Sequence, residues 1–199
     1  MSAIVWLAIG YLMGALPFSV WLGKCFAHTD VRQFGDGNPG AANAWKAGGW
    51  RMGLAVLLLD YLKGALPVAA AHFVFNLSGW SLVLAAIAPV FGHACSPFLH
   101  FRGGKGLTVT FGIWSGLSLA QAPLVLGLFM ALFYLTLNVE AWAVVFSLAG
   151  LLTHLLLQQA DVAWIGVALV NLAVIVWTHW HDLQQAPRLK PLFSRERHA

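Results

Sequence analysis

Apolar residues run in long blocks along this chain, and the polar residues collect in the breaks between them. A membrane-spanning helix needs about 20 mainly apolar residues. That rule predicts helices at Ala3–Gly23, Gly53–Phe75, Trp80–Phe98, Leu107–Leu119, Ala122–Leu137, Trp142–Leu157 and Val162–Thr178. The block from Leu107 is short for a full crossing. The expectation is therefore an all-α integral membrane protein of about seven transmembrane helices, with five as the alternative if the short blocks are re-entrant. The breaks are short except for Lys24–Met52, and no low-complexity stretch or domain boundary interrupts residues 1–199. The chain reads as one membrane-embedded domain. Ser2–Gly23 has no basic leader and is long enough to span, so it reads as a retained first helix rather than a signal peptide.

Composition supports the bilayer. Of 199 residues, 60% are hydrophobic and only 9% charged, against roughly a quarter charged in soluble domains. The net charge of +4 does not point to nucleic acid, because the cations sit at block ends rather than on one soluble face. Lys24, Arg32, Lys46 and Arg51 follow the first block, Arg102 and Lys105 the third, and Arg188, Lys190, Arg195 and Arg197 the last. The intervening breaks at Asn76–Gly79, Ala120–Gln121 and Gln158–Asp161 carry no Lys or Arg. This asymmetry predicts an odd number of spans, the N-terminus outside and the C-terminus in the cytoplasm. Trp50, Trp80, Trp142, Trp164 and Trp180 lie near block ends, as an interfacial belt does. Cys25 and Cys95 form no disulfide framework or metal-type spacing.

Candidate chemistry concentrates on the cytoplasmic side. Gly92–Gly106 reads GHACSPFLHFRGGKG. Gly103, Gly104 and Gly106 permit close backbone approach, Arg102 and Lys105 add positive charge, and a helix start follows at Leu107. That combination suits an anion such as phosphate; the plain alternative is an ordinary basic loop between two helices. The spacing is not that of a P-loop, so no nucleotide site is read. Asp30–Gly49, DVRQFGDGNPGAANAWKAGG, is a second candidate. Gly35, Gly37 and Gly40 favour turns, Ala41–Ala47 is expected as a short interfacial helix, and Asn38 and Asn43 present amides. Asp60 and Lys63 stand three apart inside the second block, where charges pair or face a polar cavity. They read either as a packing ion pair or as support for the floor of a site. His72 and His154 read as structural, whereas His93 and His179 lie at the cytoplasmic ends. The His179–Asp182 run offers only those two on one face, with no third ligand, so no metal is expected.

These motifs together resemble the PlsY-type acyl-phosphate:glycerol-3-phosphate acyltransferases of bacterial phospholipid synthesis. The resemblance rests on GALPFSVWLGK at Gly14–Lys24 and on Arg32, Gly35, Gly37, Asn38, Gly40, Ala41 and Asn43. It continues through Asp60, Lys63 and Gly64, then Gly92, His93, Pro97, Phe101, Gly103, Gly104, Lys105 and Gly106. It implies a seven-helix fold with the site at the cytoplasmic face of the cell membrane. It implies acyl phosphate and glycerol-3-phosphate as substrates, lysophosphatidate as product, and no cofactor. Substrate phosphate would help to activate the hydroxyl. By resemblance, Lys105 and the Gly103–Gly104 backbone hold phosphate, His93, His179 and Asn43 act in catalysis, and Asp36, Gly37, Asn38, Gly40, Lys46, Arg102, Gly106, Glu140 and Asp182 bind substrate.

The chain also departs from that family. Asp36 stands where Ser is common, Lys46 where Arg is common, and Asn138-Val139-Glu140 replaces a Ser-containing stretch. The usual terminal His-x-x-Asn is His179-x-x-Asp182. Extra negative charge beside phosphorylated substrates weakens anion binding. A diverged relative with another acceptor or donor is therefore one alternative, and a non-catalytic lipid-binding membrane protein is another. No internal repeat supports a transporter, and nothing in the sequence indicates a protein partner.

Overall fold

A computed structural model describes residues 3–190. Arg195 and Arg197, counted above for orientation, lie outside the described residues. Among these residues eight α-helices follow in order: α1 Ala3–Ala15, α2 Phe18–Phe26, α3 Ala41–Ala69, α4 Gly79–Ala94, α5 Leu107–Ser118, α6 Gln121–Thr136, α7 Glu140–Leu157 and α8 Val162–Thr178. Among the described residues the only β-type pairing is one antiparallel bridge, Leu137 to Leu189.

Among the described residues, four helical segments are long and apolar enough to cross a membrane: Ala3–Phe26, Ala41–Val74, Gly79–Leu99 and Glu140–Leu157. Three apolar helices, α5, α6 and α8, are shorter. The outward faces suit lipid rather than water. Leu124, Leu128, Leu132 and Leu135 form an exposed apolar stripe along α6, and Leu54, Leu57 and Leu58 do the same on α3.

Two boundaries differ from the sequence pattern. The first apolar block is not one helix: it breaks at Leu16–Pro17 into α1 and α2. Pro17 has no N–H with which to continue the helical ladder, and the Leu16 carbonyl is taken instead by Lys63 Nζ at 2.9 Å. The second block begins upstream, at Ala41, and absorbs the expected interfacial helix. Gly49, at φ 81°, turns the chain between the two halves of α3.

The core lies between α3, α4, α5, α7 and α8 and includes Val68, Val90, Ile113, Trp114, Leu151 and Ile175. α5 has only 12 residues, about 18 Å of helix, and is largely enclosed by its neighbours. Close backbone approach holds it: a Cβ at Gly112 or Gly116 would run into the main chain of α3 at Tyr61 or Ala65. Asn171 of α8 accepts from Trp114 Nε1 at 3.1 Å and donates to Thr110 Oγ1 at 3.0 Å, so these buried polar groups satisfy one another. α1 is tied to the end of α4 by Tyr11 OH donating to the Cys95 carbonyl (2.8 Å) and Ser96 Oγ to the Ala15 carbonyl (2.6 Å). These contacts fix the end of the bundle at which the polar loops meet.

Candidate active site

The loop from α4 to α5 folds back onto the helix it leaves. Gly103 N–H donates to the Ala94 carbonyl at 3.0 Å and Gly104 N–H to the His93 carbonyl at 3.1 Å. Both donors, expected to hold phosphate, are thus already engaged. The glycines, which line the wall of the second cavity described below, also meet a packing need: a Cβ on Gly103 would collide with the His93 carbonyl, and one on Gly104 with the His93 ring. Gly106, at φ 84°, then starts α5.

This packing delivers Lys105 to a three-way junction. Its N–H donates to Asn38 Oδ1 (3.0 Å), and its carbonyl accepts from Thr178 Oγ1 (3.0 Å). Its ammonium reaches Asp36 Oδ2 at 2.6 Å and Asp182 Oδ2 at 2.8 Å. Asp36 is itself held by Asn38 N–H (3.2 Å) and Asn43 Nδ2 (2.9 Å), and Asn43 also donates to the Asn38 carbonyl (3.0 Å). Partial burial pushes the Asp36 carboxyl up. The bonds from Lys105, Asn38 and Asn43 outweigh burial and hold it at about 2. Burial favours a neutral Lys105, but its two carboxylate partners prevail and raise its pKa.

Lys105, Asp36 and Asn38 stand between two cavities. One, of about 500 Å3, is polar and is also lined by Asn43, Glu140, His179 and Asp182. The other, of about 630 Å3, combines Arg32 and Arg102 with Phe101 and Trp177, and Gly37 is in its wall. His179 is 5% exposed. Its Nδ1 lies 2.9 Å from the Ile175 carbonyl, and burial is the largest influence in lowering its pKa. Among the described residues, no group of three His, Cys, Asp or Glu is arranged to hold a metal ion.

Several expected residues stand apart from both cavities. His93 is not a pocket residue: it packs beneath Gly104 and, with Asp60, Lys63 and Ser96, surrounds a void of about 10 Å3. The Asp60–Lys63 pair, at 2.7 Å, is buried beneath the loop beside His93 and lines neither of the two larger cavities. Lys46 is exposed and lies near Gly35 rather than in either cavity wall. Gly40 precedes the first turn of α3 and acts through the backbone.

Sequence reasoning missed Tyr134, Thr178 and Gln185. Tyr134 and Gln185 line the polar cavity. Gln185 is brought there by a strap across the α6–α7 junction. Trp142 Nε1 donates to the Gln185 carbonyl (2.8 Å), and Asn138 exchanges hydrogen bonds with the Arg188 backbone at 3.0 Å each way. No local motif announces such a strap; only the departure at Asn138-Val139-Glu140 marked the place.

Residues 4–188 match the family model described as glycerol-3-phosphate acyltransferase. Glycerol-3-phosphate acyltransferase 1 of Thermotoga maritima is 42% identical over 60% of each chain. The glycerol-3-phosphate acyltransferase of a Synechococcus species is 34% identical over 93% of this chain and 92% of its own. Two crystal structures of PlsY, an integral membrane glycerol 3-phosphate acyltransferase, superpose on this chain. The glycerol 3-phosphate form gives a TM-score of 0.82 at 28% identity, covering 92% of this chain and 90% of that one. The lysophosphatidic acid form gives 0.81 at 27% identity, with the same coverage. With a family match along nearly the whole described chain and an integral membrane enzyme of the same fold, this protein belongs to the glycerol-3-phosphate acyltransferase family.

Proposed function

We propose that the chain transfers a fatty acyl group from acyl phosphate to the sn-1 hydroxyl of glycerol-3-phosphate, releasing lysophosphatidate and inorganic phosphate. The observation that carries this reading is the position of Lys105, a cation at the junction of a polar cavity and an amphipathic cleft. The polar cavity suits the small acceptor. The cleft, with Arg32 and Arg102 beside Phe101 and Trp177, suits a phosphorylated headgroup that continues into an apolar chain. Lys105 neutralises phosphate charge, Asn38 and Asn43 fix the loop that faces it, and holding both substrates at one junction lowers the barrier by proximity.

In this reading residues 1–199 form one domain in the cell membrane. α1 and α2 together make the first of seven spans, and α3 to α8 make the rest. The N-terminus lies outside and the site faces the cytoplasm, as the placement of Lys and Arg supports.

A second reading, in which the acceptor or donor has changed, is favoured by one observation: Asp36 and Asp182 already occupy the ammonium of Lys105. One assay tests both. Purified protein in detergent is given acyl phosphate and glycerol-3-phosphate, and lysophosphatidate is followed by mass spectrometry beside Lys105→Ala. Loss of about 10²-fold or more in the variant is expected from removing such a charge contact. No product from folded wild-type protein overturns the glycerol-3-phosphate reading and leads to a screen of other alcohols.

A further inference from the structure

We propose that a cavity at the opposite end of the bundle from Lys105 binds the headgroup of a zwitterionic phospholipid, an ammonium joined to a phosphate. This site is separate from the candidate active site and goes beyond the acyl-transfer reading. Thr178, which bonds to the Lys105 carbonyl, and Asp161, in the wall of this cavity, stand at opposite ends of α8. That helix has 17 residues, about 25 Å of length.

The cavity measures about 350 Å3, and its wall includes His72, Leu77, Ser78, Leu82, Asp161 and Trp164. Small-molecule sites begin at about 300 Å3. Irregular backbone builds it. α3 runs into a π-helical turn, Ala70–Val74, that carries His72, and such widened turns recur at functional sites. Asn76, at φ 52°, and Gln159, at φ 51°, then turn the chain towards α4 and α8.

Charge identifies the ligand. The turns at this end, Asn76–Gly79, Ala120–Gln121 and Gln158–Asp161, hold no Lys or Arg, and Asp161 is their one charged side chain. Its Oδ1 accepts from the Ala163 N–H at 2.7 Å and so caps α8. Among the described residues no side-chain cation pairs with this carboxylate. An ammonium from outside the chain supplies the counter-charge, and the indole of Trp164 in the same wall is the aromatic partner such a group prefers.

The phosphate has its own donors. His72 meets Trp164 edge-on, with ring centroids 6.2 Å apart at 72°. Its Nδ1 is buried with no hydrogen-bond partner among the described residues. A bare N–H is the rarer and costlier vacancy, so the hydrogen belongs on Nε2, the ring nitrogen left to a ligand. Nε2–H and the Ser78 hydroxyl can both donate to a phosphate oxygen. Helix ends act in the same sense. α3 and α7 finish here in carbonyls, which favour a cation, and α4 and α8 begin here in N–H groups, which favour an anion. A ligand bearing both charges matches both.

The surroundings favour a lipid over a soluble amine. Val74, Trp80, Leu157 and Val162 flank the wall residues in sequence, and all four are exposed and apolar. A headgroup in the cavity would leave its acyl chains against that rim.

The test is photo-crosslinking of the purified protein in detergent. The probe is a phosphatidylethanolamine with a diazirine near the glycerol end of one acyl chain. Labelled peptides should cover residues 72–82 or 160–164. Unlabelled phosphatidylethanolamine should compete about fivefold better than phosphatidylglycerol of the same chains, which lacks the ammonium. Asp161→Asn removes the charge but keeps a capping side chain. It should cut labelling of these peptides about fivefold and leave Tm and acyl transfer at wild-type values. Absence of label from these peptides, equal competition by the two lipids, or undiminished labelling of Asp161→Asn overturns the proposal. The competition uses wild-type protein, so it decides the question even where the variant misfolds. Soluble phosphoethanolamine that competes at the same concentration as the lipid makes the ligand a free amine and overturns the lipid assignment.

Discussion

The ion pair between Asp60 and Lys63 gives a sharp test of how the site is supported. Both side chains lie inside the bundle, 4% and 3% exposed, with Nζ and Oδ1 2.7 Å apart. Lys63 also donates at 2.9 Å to the Leu16 carbonyl, freed by the break at Pro17. Asp60→Leu strands the ammonium in an apolar interior. Breaking a buried pair from one side costs about 3–5 kcal/mol. At about 2–4 °C per kcal/mol for a chain of this size, Tm should fall by about 6–20 °C. Asp60→Leu with Lys63→Met removes both charges and leaves mainly the Leu16 carbonyl unsatisfied, a cost of about 1–3 kcal/mol. The double variant should therefore be more stable than the single one. Thermal unfolding of each in the same detergent, followed by tryptophan fluorescence, measures the difference. A double variant that melts at or below Asp60→Leu would refute the idea that uncompensated charge dominates, and would make the pair a packing element whose shape matters more than its charge.

Three further outcomes are expected. Replacing Asp36 by Ser and Lys46 by Arg removes one carboxylate from Lys105 and restores a forked cation; kcat/KM for glycerol-3-phosphate should rise about two- to fivefold, the scale of one partly exposed ion pair, and no gain would mean that the pocket has been rebuilt around Asp36. Gly103→Ala and Gly104→Ala should each destabilise the loop by about 1–3 kcal/mol through overpacking, with Gly103→Ala the worse because its collision is with the His93 main chain rather than a ring; equal and wild-type melting would contradict the packing role. The Asp36 carboxyl sits at about 2, below its ordinary 3.8, so its stabilising effect is complete above the ordinary value and is lost as pH falls towards 2. The Tm difference between wild type and Asp36→Ser should be constant from about pH 5 to 8 and shrink below about pH 4; a difference that changes near neutrality would argue against this ion pair.

Much of this molecule was legible one residue at a time. Long apolar blocks cannot be hydrated cheaply, so they marked the helices, and α8 follows the pattern from Val162 to Thr178. Glycines and asparagines in the Lys24–Met52 break marked a structured loop, and the order of motifs around Lys105 marked the family. What the pattern could not contain was the pairing of distant groups. Lys105 meets Asp36 across 69 positions of sequence. Gly103 and Gly104 carry no sign of whether their N–H groups face a ligand or the end of α4. His93 and His179 look alike as histidines at helix ends, yet one packs behind the loop and the other lines a cavity. Hydropathy and backbone preference act locally and are written in the sequence. Ion pairs, tautomers and cavity walls depend on which helices pack together, and only the folded bundle decides them.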